Sequence, residues 1–112
     1  MKTKSILKLA SILLLSASAG PAHAGDVKEL WEKNCVSCHG KDGRGDTKMG
    51  RKVGAKDYTD PKVQAAMKDE EMFKAIKEGL KEGGKTKMKA HKDVLTDEEI
   101  KALVQYVRAF KK

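Results

Sequence analysis

Apolar residues recur at helical spacing most clearly near the end of the chain. One stripe of a helix would carry Ile100, Leu103, Val104, Val107 and Phe110. The segment just before it, Thr96-Asp97-Glu98-Glu99, has the form of a capping box, in which the first and fourth residues satisfy each other's main-chain N–H groups. We therefore predict a C-terminal helix that begins after Thr96 and buries this stripe.

The same spacing predicts three shorter helices upstream. The first runs over about 26–34 and places Trp31 on its apolar face. Asp60-Pro61 pairs a helix cap with a proline in the first turn, and predicts a second helix to about Met67. Asp69 is expected to cap a third, which ends in the glycines that follow residue 78. No strand is required, so the prediction is an all-α fold of about four short helices.

Residues 1–24 have the layout of a secretory signal peptide. Lysines at positions 2, 4 and 8 precede an apolar run, and the small residues of Ala22-His23-Ala24 suit a cleavage site. The run is shorter than the roughly 20 apolar residues of a spanning helix, so stable membrane insertion is not expected. We predict cleavage after Ala24, one domain over 25–112, and export to the periplasm, or to the thylakoid lumen if the source is photosynthetic.

The chain carries one motif with specific chemistry, Cys35-Val36-Ser37-Cys38-His39. C-x-x-C-H is the attachment signature of haem c. Two cysteines three residues apart lie on neighbouring faces of a helical turn and can form thioethers with the two vinyl groups of one porphyrin. His39 follows directly and can place a nitrogen on the iron as the proximal ligand. The motif therefore predicts one covalently bound haem c, with iron as the metal.

Three other readings of this motif have weaker support. A thioredoxin-like dithiol needs surrounding βαβ structure, which the sequence does not indicate. A disulfide across two residues closes almost no loop and would stabilise little. A zinc site would have to use Cys35, Cys38, His39 and His91, and the adjacent Cys38-His39 pair fits usual zinc-ligand spacing poorly.

A second axial ligand would complete a low-spin iron centre, and methionine is the usual partner of histidine in cytochromes. Met88 is the leading candidate, because it is an apolar residue isolated in a lysine-rich segment and iron ligation would give it a reason to point inward; packing over the core is the alternative reason. Met67 and Met72 fit helical core positions more simply. His91 and Met49 remain alternatives, as does an open site.

With these residues in place, the segment 26–110 resembles the class I c-type cytochromes, the small soluble monohaem type of bacteria and algae. The resemblance rests on the early C-x-x-C-H motif, the late Met88 and the capped final helix. It implies a fold in which the N- and C-terminal helices cross, with Trp31 near Leu103 and Tyr106, and it implies that Met88 is the distal ligand. This chain has Lys89 where many relatives have proline.

The resemblance implies a one-electron carrier rather than an enzyme, acting through an exposed haem edge. A haem-based gas sensor or a ligand-switching haem protein is the alternative. The chain carries 24 basic and 16 acidic residues. Basic residues near Met88 would steer redox proteins with acidic docking surfaces, and they are Lys85, Lys87, Lys89 and Lys92. Export makes nucleic-acid binding improbable, and we expect a monomer.

Overall fold

The computed structural model describes residues 24–112, and residues 1–23, with nearly all of the predicted signal peptide, lie outside the described part. The elements in chain order are α1 (Ala24–Asn34), α2 (Val36–His39), α3 (Lys48–Val53), α4 (Pro61–Ala66), α5 (Asp69–Glu78), β1 (Leu80–Glu82), β2 (Lys85–Met88) and α6 (Asp97–Arg108). The fold is mostly helical, which confirms the predicted class. Within 24–112, no helix is long and apolar enough to cross a membrane.

Helix α6 starts where the sequence predicts. The Thr96 hydroxyl accepts a hydrogen bond from the Glu99 N–H at 3.1 Å, and the Glu99 carboxylate accepts one from the Thr96 N–H at 2.9 Å. Ile100 and Leu103 are almost completely buried, at 0% and 1% exposure. Such a buried stripe contributes about 1.5–3 kcal/mol for each large aliphatic side chain.

Helices α1 and α6 pack against each other around Trp31, which is 2% exposed. Its ring centroid lies 5.4 Å from that of Tyr106 and 5.1 Å from that of Phe110. Leu103 belongs to the same core cluster. The predicted packing of the two terminal helices is therefore present.

Three local features differ from the sequence prediction. Helix α3 lies in a region expected to be a loop, and Asp69 is the first residue of α5, where Lys68 takes the cap position. The segment that contains Met88 is a strand: β1 and β2 pair antiparallel, with Leu80 opposite Met88 and Gly83-Gly84 at the turn. A Gly-Gly pair suits such a turn because glycine adopts positive φ without a steric cost.

Candidate functional site

The three predicted haem-binding residues of the motif, Cys35, Cys38 and His39, lie around a single helical turn. Cys35 stands at the break between α1 and α2, and its N–H donates to the carbonyl of Trp31 at 2.9 Å. Its own carbonyl accepts from the N–H of His39 at 2.9 Å. Cys35 is buried and Cys38 is half-buried. The local hydrogen bonds thus bring Cys35, Cys38 and His39 to one wall of the molecule.

Contacts from outside hold the end of α2. The Trp31 indole N–H donates to the carbonyl of Gly40 at 3.0 Å, and the Thr47 hydroxyl donates to the carbonyl of Cys38 at 2.8 Å. Gly50 in α3 approaches the same Cys38 carbonyl so closely that a Cβ there would collide with it. Thr47 and Gly50 are site-supporting residues that sequence reasoning missed, because 41–59 shows no apolar periodicity.

The His39 imidazole packs near two aromatic rings. Its centroid is 5.6 Å from that of Trp31 and 5.3 Å from that of Tyr58, and the Tyr58 ring is tilted from it by only 23°. Burial, and secondarily the nearby His91, lower the pKa of His39. A lowered pKa keeps the imidazole neutral, which is the form that binds a metal ion.

A cavity of about 530 Å³ opens beside this imidazole. Its volume lies within the range of cofactor sites, about 300–1,000 Å³. It is lined by residues from α1, α2, the 53–58 loop, α5, the hairpin and α6, including Cys35, Cys38, His39, Tyr58, Ile76, Leu80, Met88 and Val107. Both cysteines of the motif, the histidine and a methionine therefore line one largely apolar cavity, and this donor set fits an iron porphyrin held by two thioethers.

The candidate distal methionines differ in position. Met88, at the end of β2, is half-buried and lines the cavity, as do Met67 and Met72. Met49 is 45% exposed on α3 and is not part of the lining. The geometry therefore removes Met49 from the alternatives, while Met67 and Met72 lie on the cavity wall as well as against the core.

His91 is a buried histidine, at 2% exposure, and it also lines the cavity. Its Nδ1 lies 3.3 Å from the carbonyl oxygen of Ile76, which can only accept, so Nδ1 carries the proton. Its Nε2 has less than 1 Å² of accessible surface and no hydrogen-bond partner. A histidine whose Nδ1–H faces a main-chain carbonyl and whose Nε2 has no partner has the usual arrangement of a metal ligand, so His91 stays an alternative to Met88.

The competing chemistries of the motif find no support in this geometry. Burial, and then the neighbouring Cys38, raise the pKa of Cys35 to about 12, whereas a redox-active dithiol needs a thiolate of lowered pKa. The two cysteines are not bridged. Within residues 24–112, no three histidine, cysteine or carboxylate side chains are grouped to hold a metal ion such as zinc.

The mouth of the cavity is basic. Four lysines are part of its lining, and they are Lys56, Lys68, Lys87 and Lys89. Glu71 is the single carboxylate of the lining within the described part of the chain. Two more of the predicted docking lysines, Lys85 and Lys92, are exposed on or beyond the hairpin.

Comparison with known proteins agrees with this geometry. The family profile described as "Cytochrome C oxidase, cbb3-type, subunit III" matches residues 22–107. A solved structure titled "KustC0563 c-type cytochrome" is 41% identical, with a TM-score of 0.68, and the match covers 76% of this chain and 96% of that one. The chain belongs to this family of c-type cytochromes. A c-type cytochrome holds haem c covalently and carries electrons rather than catalysing a reaction, so both expectations are confirmed.

A second solved structure extends the likeness. A tyrosine-to-phenylalanine mutant of Kustc0563 is 41% identical, with a TM-score of 0.67, and the match covers 77% of this cytochrome and 99% of that chain. No curated protein matches the chain. The resemblance to class I cytochromes is thereby confirmed over most of residues 24–112.

Proposed function

We propose that this cytochrome holds its haem through thioethers at Cys35 and Cys38, with His39 as the proximal and Met88 as the distal ligand of the iron. The observation that carries the proposal is the arrangement of these four side chains on the wall of one cavity. Met88 is favoured over His91 on the family resemblance, because both side chains line the same cavity. It is favoured over Met67 and Met72 on the family resemblance.

The haem supplies the one-electron chemistry, and the chain sets its environment. The Trp31 and Tyr58 rings pack near the His39 ring, with centroids 5.6 and 5.3 Å from it. Apolar side chains such as Ile76 and Val107 line the cavity. Because a low-polarity environment disfavours the extra charge of ferric iron, these contacts support a raised reduction potential.

The basic cavity mouth supports a docking role for the lysines around Met88. Lys87 and Lys89 line the cavity, and Lys85 and Lys92 are exposed nearby in sequence. We propose that these lysines steer acidic redox proteins toward an exposed haem edge, where an electron passes without a bound substrate. The protein would do so as an exported monomer, in the periplasm or an equivalent compartment.

The test is the optical spectrum of the purified protein and of two variants, Met88→Ala and His91→Ala. The wild-type ferric protein should be low-spin and show a methionine-to-iron charge-transfer band. Met88→Ala should lose this band, while His91→Ala should keep it. Retention of the band in Met88→Ala would contradict the assignment, and rapid carbon monoxide binding by the wild-type ferrous protein would favour a gas sensor instead.

A further inference from the structure

Gln64 is a buried polar residue, at 4% exposure, that no sequence motif singles out. Its amide nitrogen donates two hydrogen bonds, to the carbonyl of Tyr58 at 2.7 Å and to the carbonyl of Val107 at 2.8 Å. Both protons of the amide are used, so the side chain has one orientation. It joins the loop that carries Tyr58 to helix α6, 43 residues away from Gln64 in sequence.

The main chain of Tyr58 is thereby fixed at both of its polar groups. Its carbonyl accepts from Gln64, and its N–H donates to the carbonyl of Gly43 at 2.8 Å. The ring that this main chain positions lies 5.3 Å from the His39 imidazole, centroid to centroid. A continuous set of contacts thus connects α6, through Gln64 and Tyr58, to the proximal side of the cavity.

We propose that Gln64 is a positioning residue that tunes the haem by holding the Tyr58 ring over the His39 imidazole. The inference rests on the proposed role of His39 as proximal ligand. Without the Gln64 amide, the partly buried Tyr58 carbonyl loses its donor and the loop relaxes toward water. Water beside the imidazole stabilises the more positive ferric iron, so the reduction potential falls.

A purely structural role for Gln64 is the competing explanation. The Arg108 guanidinium donates to the Gln64 main-chain carbonyl at 2.6 Å, to its side-chain oxygen at 3.2 Å and to the Met67 carbonyl at 2.6 Å. It also pairs with Asp69 at 2.8 Å. Gln64 therefore belongs to a hydrogen-bond network centred on Arg108 that joins α4, α5 and α6. This network stabilises the fold whether or not Gln64 affects the haem.

Three variants separate the two roles in the holoprotein. Gln64→Glu keeps an acceptor for Arg108 but cannot donate to either carbonyl. In Gln64→Met the new side chain has a similar shape, brings no charge and removes both donors. This variant therefore distinguishes the positioning role from the structural role if the glutamate variant does not fold. Arg108→Gln is the matched control, because it removes the contacts of the Arg108 guanidinium and leaves the two donated hydrogen bonds of Gln64 in place.

The measurements are the reduction potential and the proton resonances of the His39 ring in the ferrous protein. Both Gln64 variants should shift the reduction equilibrium toward the ferric form by at least about threefold, or about 28 mV at 59 mV per tenfold. They should also move the His39 resonances, since the ring current of Tyr58 changes. Arg108→Gln should lower the unfolding midpoint and leave both measurements unchanged.

Two results would overturn the inference. One is a folded Gln64→Met protein with the wild-type potential and unmoved His39 resonances. The other is an Arg108→Gln protein in which both measurements shift as much as in the Gln64 variants. A wild-type ferrous spectrum in which the His39 resonances lack the large upfield shift of an iron-bound imidazole would instead contradict the proposed ligand, so the two failures are distinguishable.

Discussion

Gly79 lies where the end of helix α5 meets the strand that carries Met88, and its replacement by alanine is the most informative perturbation of the distal side. The residue has φ +80° and ψ 178°, a conformation that is essentially restricted to glycine. A Cβ at this position would lie 2.6 Å from the Met88 carbonyl oxygen and 2.8 Å from the Ala90 nitrogen. Both neighbours are main-chain atoms, so the clash is relieved only if the Met88 segment moves.

The expected cost has two parts. The backbone conformation costs an alanine about 1–3 kcal/mol. Forcing the strand away adds about 1–3 kcal/mol, as overpacking does in a protein interior. We therefore expect Gly79→Ala to lower the free energy of unfolding by roughly 2–6 kcal/mol. Because the displaced residue is the proposed distal ligand, the methionine-to-iron band of the ferric protein should weaken or disappear.

Gly84→Ala is the matched control, because Gly84 has φ +76° but its added Cβ would meet nothing within 4 Å. It should cost about 1–2 kcal/mol from the backbone alone and keep the band. Denaturant unfolding of the ferric protein measures the loss of stability, and its visible spectrum shows whether the methionine-to-iron band is kept. If Gly79→Ala matched Gly84→Ala in stability and spectrum, the argument that Gly79 sets the position of Met88 would be refuted.

Three further variants test separate contacts. Trp31→Phe removes the indole hydrogen bond to the buried Gly40 carbonyl, which keeps only the 3.3 Å bond from the Gly43 N–H, and should cost about 0.5–1.5 kcal/mol in denaturant unfolding; an unchanged free energy of unfolding would show the bond to be dispensable. Lys87→Glu with Lys89→Glu should slow electron transfer to an acidic partner at low salt, and a rate unchanged at low salt would remove the docking role. Hydrogen bonds from the Thr59 hydroxyl and N–H lower the pKa of Asp57. The ionised Asp57 carboxylate therefore stabilises the folded protein fully above about pH 4, and this contribution is lost as the pH falls through the lowered pKa. In Asp57→Asn, the free energy of unfolding should therefore fall less steeply as the pH is lowered. The same fall as in the wild type would contradict this.

Helix α6 and the attachment motif could be predicted because their signals are local. The capping box spans four residues, and both of its hydrogen bonds form within that span. The spacing of Cys35, Cys38 and His39 is set by one turn of helix. Neither depends on distant parts of the chain, so a reading of the sequence alone is sufficient to place them.

The hairpin and helix α3 could not be predicted in the same way, because neither has clear apolar periodicity and α3 is also held by contacts to α2. Helix α3 is stabilised where Thr47 donates to Cys38, nine residues earlier, and where Gly50 fits against the same carbonyl. The hairpin had a usable signal in Gly83-Gly84, but its strands alternate poorly between apolar and polar residues. The glycines were therefore assigned to the end of the preceding helix.

The supporting shell of the site was the part least accessible from sequence. Gln64 has no distinguishing neighbours in the sequence, and its role depends on carbonyls at positions 58 and 107. Likewise, only the fold shows that the Nε2 atom of His91 is buried without a hydrogen-bond partner. Sequence reasoning identified the groups that would bind the cofactor, whereas the residues that position them required tertiary structure.

The most direct test of the haem assignment is the mass of the purified protein and of its tryptic peptides, after expression in cells with intact cytochrome maturation. We expect an intact mass that exceeds the polypeptide by one haem, and a haem-bearing peptide that contains Cys35 and Cys38. An intact mass equal to the bare polypeptide, or a haem located on another peptide, would contradict the assignment.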